Sequence, residues 1–141
     1  MVTLRLAKPA DIGALIDLDP VSVTDTRRAP FIGQATRSRA CHVMESDGRL
    51  IGYGVLTHNF YQYGFVELLY VHPDFRRKHL ATRLMRHFEG LCATEKLFTS
   101  TNKSNIPAQQ LFTALGYERS GVIENLDEGD PELVYVKRLT R

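Results

Sequence analysis

Apolar and polar residues alternate over Val2–Leu6, the period of a half-buried strand. Pro9 then sits at a helix start, Asp11 follows in the first turn, and Ile12, Leu15, Ile16 and Leu18 fall on one helical face. Thr24–Arg39 carries a weaker helical pattern, rich in arginine and interrupted by Pro30 and Gly33. Cys41–Glu45 and Leu50–Leu56 read as a hairpin around Asp47-Gly48. Phe65–Val71 is a further strand, and Lys78–Ala93 a helix whose Leu80, Leu84, Phe88 and Leu91 face a core. Leu97–Thr101 reads as a buried strand, and Asn105–Leu115 as a helix closed by Gly116. Tyr117–Ile123 and Leu133–Leu139 pair across an acidic loop, residues 124–132. The predicted order is β-α-α-β-β-β-α-β-α-β-β.

Composition narrows the class without changing this picture. A chain of 141 residues is expected to form a single domain, residues 1–141, burying about two-thirds of its unfolded surface. With 43% hydrophobic and 24% charged residues it reads as an ordinary globular chain. A net charge of +2, with basic residues locally clustered, argues against nucleic acid as a partner. Its longest apolar run is far short of a membrane span. Met1–Leu6 already reads as a strand, so no leader is expected and a cytoplasmic location is the default. Cys41 and Cys92 lie in apolar contexts and are expected to be buried thiols. The five histidines show no metal-ligand spacing with carboxylates or cysteines.

The most informative stretch runs from Glu67 to Ala81. An apolar strand ends at Val71, His72-Pro73-Asp74 breaks it, and Arg76, Arg77, Lys78 and His79 open the next helix. A strand turning abruptly into a helix leaves several backbone N–H groups unpaired beside the positive end of the helix dipole. That arrangement holds phosphates. Cations at a helix start otherwise oppose the dipole by a few tenths of a kcal/mol each, and a polyanionic ligand removes the conflict.

Val71-His72-Pro73, two residues, then Arg76-x-x-x-x-Ala81 resembles the acyl-coenzyme-A signature of the GNAT-type N-acetyltransferases, Gln/Arg-x-x-Gly-x-Gly/Ala. His79 stands where the first glycine is expected. A second block, Asn105-x-x-Ala108-x-x-Leu111-Phe112-x-x-Leu115-Gly116-Tyr117, resembles the family's next helix and the turn into its sixth strand. The blocks come in the right order, 24 residues apart from Ala81 to Asn105. The resemblance implies an α/β (α+β) fold with a mixed, mostly antiparallel central sheet of about seven strands flanked by four helices. It implies acetyl-CoA as co-substrate and acetyl transfer to a primary amine of a small molecule, by direct attack in a ternary complex. A homodimer is a candidate assembly. A non-catalytic acyl-CoA-binding or sensing module, and a protein or peptide N-acetyltransferase, are the alternatives.

Carried over residue by residue, the resemblance places coenzyme contacts on Leu69, Tyr70 and Val71 at the strand end. It places others on Arg76, Arg77, Lys78, His79, Leu80, Ala81 and Thr82 in the turn, and on Asn105 and Phe112 in the second block. Glycine lets a phosphate approach the backbone closely, and the β-carbon of His79 could obstruct that. His79 is tolerated if it lies in the first helical turn with ordinary negative φ, its imidazole aimed at a phosphate oxygen; the other reading is a solvent-facing side chain without a role. Asn105 serves equally as a helix N-cap.

Acetyl transfer needs a base for the ammonium proton and benefits from an acid for the leaving thiolate. Glu67 is the only carboxylate near the centre of the presumed site, expected on the strand face of Phe65 and Leu69, with an arginine-paired Glu as the structural alternative. Relatives place a tyrosine acid at the position of Phe112, which has no proton to give. Tyr70, Tyr63 and Tyr117 are candidate substitutes, Tyr117 being patterned as core, and Tyr70 is assigned with Glu67 to catalysis. Ser100 lies where some relatives place a base and could hold a water. The acidic loop, with five carboxylates in nine residues, reads as a solvated hairpin tip or as a screen for a cationic acceptor. Arg27, Arg28, Arg37 and Arg39 point the other way, to an acceptor with a carboxylate.

Overall fold

The computed structural model describes residues 1–140. Its strands are β1 (Val2–Leu6), β2 (Cys41–Ser46), β3 (Arg49–Phe60), β4 (Tyr63–Val71), β5 (Lys96–Asn102), β6 (Glu118–Ile123) and β7 (Glu132–Arg138). They form one seven-stranded sheet in the order β1-β2-β3-β4-β5-β7-β6. The sheet is mixed: β4 pairs with β5 in parallel, whereas β1–β2, β2–β3, β5–β7 and β6–β7 are antiparallel. The helices are α1 (Ile12–Leu18), α2 (Val21–Thr24), α3 (Arg28–Arg37), α4 (Leu80–Leu91) and α5 (Ile106–Ala114). Two compact units divide the chain, Met1–Leu56 with Leu68–Arg86, and Thr57–Glu67 with the chain from His87 onward.

In the first unit, Leu15 of α1 and Ile32 and Ala35 of α3 bury against Cys41, Val43, Tyr53 and Val55 of β2 and β3. Leu68 and Tyr70 of β4 pack against the same cluster. Asp19, 1% exposed, is the polar anchor of this layer. Its carboxylate accepts from the Tyr53 hydroxyl, from Arg28 at 2.5 Å and from the Val21 backbone N–H at 3.0 Å, so the charge is paired and hydrogen-bonded. Burial, then the Asp19 charge, push the Tyr53 phenol far above its ordinary range. Within the stretch expected to be helical, Thr24–Arg39, one continuous helix forms, α3, which contains both Pro30 and Gly33, and the short α2 ends where that stretch begins. Pro30 is tolerated because it lies in the first turn of α3, where its missing N–H has no helical partner.

In the second unit, Leu97 and Thr99 of β5 are buried, and the Thr99 hydroxyl donates to the Val66 carbonyl at 3.0 Å. Gly64 is required where it stands: its N–H donates to Thr94 Oγ1 at 2.9 Å, and a β-carbon there would collide with Cys92 Sγ. Asn105 caps α5, its side-chain oxygen accepting from the Ala108 N–H at 3.2 Å, and Gly116 closes the helix with φ 93°. Phe112 packs on Tyr117 and Tyr135 at 6.0 and 5.4 Å between centroids. Tyr117 is 4% exposed, as its core patterning suggests, and donates its hydroxyl to Glu89, which also pairs with Lys137 at 3.2 Å.

Both cysteines are buried, and no disulfide joins them. Strand β3 runs four residues beyond Leu56, and a tight turn at Tyr61 and Gln62 (φ 52° and 71°) leads into β4. Leu91, expected in the core, is 47% exposed at the last position of α4.

Candidate active site

The break after β4 is built differently from the helix start that the sequence suggests. A 3-10 turn covers Pro73–Phe75, its first bonds supplied by His72, whose ring Nδ1 accepts from the Asp74 N–H at 3.1 Å. Helix α4 begins at Leu80, two residues later than expected. Between the two, Arg77 and His79 both lie in the left-handed region, with φ 63° and 58°, and Lys78 between them does not. His79 therefore does not have the negative φ expected of it. It adopts the backbone conformation for which glycine is favoured, and retains a β-carbon there.

Alternation of the sign of φ turns successive N–H groups toward a common concavity, the geometry of an anion nest. The first backbone bond of α4 runs from the Arg83 N–H to the His79 carbonyl at 3.0 Å. From Arg77 to Thr82 the N–H groups take no backbone acceptor among the described residues. These six donors, backed by the dipole of a 12-residue helix, fit the pyrophosphate of a coenzyme. Arg76, Arg77, Lys78 and His79 are exposed, while Ala81 and Thr82 are partly buried. Leu80 and Val71 are buried at 5% and 7%, so each can offer a ligand only its backbone.

Arg76 has a second use. Its Nε donates to the Val71 carbonyl at 2.8 Å and its guanidinium lies over the Tyr70 ring at 5.6 Å, tying the turn to the end of β4. Phe75 lies under two cations, Arg49 and Lys78, each 5.4 Å from its centroid. Tyr70 is half-buried, with Tyr53 at 6.3 Å on its other flank, and Leu69 beside it is half-buried too.

Within the second unit, Glu67 is exposed and accepts from the Thr57 hydroxyl at 2.7 Å. Among the described residues no arginine is paired with it. Asn105 is exposed, with its side-chain oxygen engaged in the cap. Phe112, at 2% exposure, is a ring of the core. Ser100 donates to Glu132 Oε2 at 2.6 Å. Burial pushes the Glu132 carboxyl up, the Ser100 hydroxyl pulls it partly back, and the charges of Asp127 and Asp130 raise it again. Sequence reasoning noted Ser100 but treated Glu132 as the end of a loop. Only the β5–β7 register, Asn102 opposite Glu132, brings the two together.

Arg27 pairs with Asp25 at 2.9 Å and Arg28 with Asp19, so these two arginines carry local structure. Among the described residues no group of three or more His, Cys, Asp or Glu side chains is gathered as for a metal ion, and no helix is long and apolar enough to cross a membrane.

Comparison with known proteins agrees with this geometry. The acetyltransferase (GNAT) family profile matches residues 14–117. A GNAT-family acetyltransferase from Bacillus cereus is 31% identical over 100% of this chain and 99% of its own, with a TM-score of 0.90. The ribosomal-protein-S18-alanine N-acetyltransferase of Escherichia coli shares the fold at 15% identity, over 100% of this chain and 96% of its own, with a TM-score of 0.80. Salmonella typhimurium yncA, solved with its cofactor acetyl-CoA, does so at 19% identity over 99% and 95%, with a TM-score of 0.76. No curated protein sequence matches the chain. A mixed seven-stranded sheet, a phosphate-type turn after its fourth strand and a family profile spanning that turn converge on one conclusion: the chain belongs to the GNAT family of acetyltransferases.

Proposed function

We propose that this enzyme acetylates a primary amine of a small molecule, the amine attacking the thioester of acetyl-CoA directly in a ternary complex. The observation that carries the coenzyme assignment is the run of unpaired N–H donors from Arg77 to Thr82 with its two left-handed residues. When bound, acetyl-CoA supplies an activated acetyl carbonyl and a thiolate leaving group. The backbone of the turn holds the phosphates, and the cationic side chains around it add attraction at longer range. Glu67 accepts the ammonium proton through a water, leaving a neutral amine to attack. Its exposure and its neutral partner Thr57 suit a group that exchanges protons with solvent. Tyr70 gives its hydroxyl proton to the departing thiolate and takes up the proton that the attacking nitrogen loses as the amide forms.

Two measurements test this reading. Acetyl-CoA at a hundred times its dissociation constant should stabilise the protein by about 2.7 kcal/mol. Free thiol should be released steadily when a primary amine is added and not in its absence. No thermal shift at millimolar acetyl-CoA overturns the coenzyme assignment, and a shift without amine-dependent thiol release leaves a binding module instead of an enzyme.

A further inference from the structure

The second unit carries a partly exposed aromatic sheet face. Phe60 stacks on Phe65 with centroids 4.8 Å apart and meets Phe98 at 4.9 Å, and Tyr63 meets Phe98 at 5.7 Å. All four rings remain partly exposed, so they form an apolar wall rather than a closed core. The parallel ladder sets Phe65 beside Phe98 and Val66 beside Thr99, and ends there. The next residues on the two strands are Glu67 and Ser100, which alternation places on the face of Phe65 and Phe98. Ser100 in turn holds Glu132 at 2.6 Å. The aromatic wall thus ends at two carboxylates.

Neither carboxylate is paired with a cation among the described residues: Glu67 has the Thr57 hydroxyl and Glu132 the Ser100 hydroxyl. Asp127 and Asp130, which deepen the negative potential at Glu132, are held by the neutral donors Asn102 and Ser104. A half-buried carboxylate satisfied only by a hydroxyl remains under-compensated, and a bound cation compensates it. The wall and the charge are independent features, and together they describe one kind of occupant.

We propose that this face is the acceptor subsite and that it takes a primary ammonium carried on an aromatic body, the rings meeting the body and Glu132, steadied by Ser100, meeting the ammonium. This rests on the reading of the protein as an amine acetyltransferase. An acceptor with a carboxylate beside its amine is disfavoured, because four carboxylates (Glu67, Glu132, Asp127 and Asp130) repel it.

Three probes separate the possibilities: 2-phenylethylamine, its neutral isostere 2-phenylethanol, and ethanolamine. Calorimetry on the enzyme saturated with free coenzyme A, which has no acetyl group to transfer, should show the amine binding at least about tenfold more tightly than the alcohol. Glu132→Gln, which keeps the Ser100 contact, should abolish that preference while the acetyl-CoA melting shift stays as in wild type. Phe98→Ala should lower kcat/KM for 2-phenylethylamine by about tenfold or more and leave ethanolamine unaffected. Equal binding of amine and alcohol by the wild type, an undiminished preference in Glu132→Gln, or no binding of either overturns the proposal. Ethanolamine turned over as well as 2-phenylethylamine overturns it while leaving amine acetylation standing. No thiol release with any amine removes the activity itself.

Discussion

His79 offers the sharpest test of the turn. It holds φ 58° with a β-carbon, immediately before the first residue of α4. The left-handed conformation costs a side-chain-bearing residue about 1–2 kcal/mol, because Cβ crowds the following carbonyl. Glycine removes that cost but adds about 0.4–1 kcal/mol of unfolded-chain entropy. The net gain of His79→Gly over His79→Ala is then about 0.5–1 kcal/mol, since alanine retains the β-carbon and lacks the imidazole. With 141 residues the unfolding entropy is about 0.3 kcal/mol/K, so the glycine variant should melt about 2–3 °C above the alanine variant. Differential scanning calorimetry of the two, without ligand, reads this directly. Acetyl-CoA titrated into wild type and His79→Gly should show affinities within about tenfold, or 1.4 kcal/mol, if the native side chain leaves the phosphate path open. Equal melting of the glycine and alanine variants would refute the left-handed strain. A much larger gain in affinity would mean that the histidine obstructs the nest.

Glu67→Gln keeps shape and removes basicity, so the maximal rate should fall by roughly 10²-fold with partial rescue at higher pH, and an unchanged rate across the pH range would remove Glu67 as proton acceptor. Phe112→Tyr adds a hydroxyl to a closed core; it should lose about 1–3 kcal/mol in a melting experiment and gain no rate, whereas a faster enzyme of unchanged stability would put position 112 at the thiolate. Burial pushes the Cys41 thiol up to about 11, so the unfolded chain releases that proton first and stability falls as pH rises from about 9 toward 11. Cys41→Ala should destabilise the fold somewhat at neutral pH and reduce this alkaline loss by about 2–3 kcal/mol, and denaturant titrations with parallel pH profiles for the two proteins would contradict it.

Periodicity located nearly every element, because strand and helix faces here bury against one another and the pattern follows. Where it failed, the cause was backbone conformation set by tertiary contacts. The Tyr61–Gln62 turn uses two left-handed residues without glycine or asparagine, and Tyr61 is 84% exposed, so nothing local announces a hairpin. The turn is held by Phe60, which stacks on Phe65 across it and meets Tyr61 edge-on at 5.2 Å. The turn after β4 was legible from its break and its charges, whereas the left-handed state of Arg77 and His79 was not, since arginine does not favour it and histidine, though enriched there, adopts it only in a minority of positions. Glu132 was hidden for another reason: its partner Ser100 lies 32 residues away, and only strand register joins them.

The β3–β4 hairpin also has a history in time. Its tip belongs to a unit whose remaining residues begin only at His87, and Phe65 leaves the ribosome 33 residues before the Phe98 beside which it will lie. At about 5–20 residues per second, that interval is roughly 2–7 s. During it, the aromatic tip and one edge of β4 are without the strand that will flank them, a combination that invites pairing with other nascent chains. Expression yield should therefore respond to chaperone supply and to growth temperature more than the stability of the finished fold would suggest.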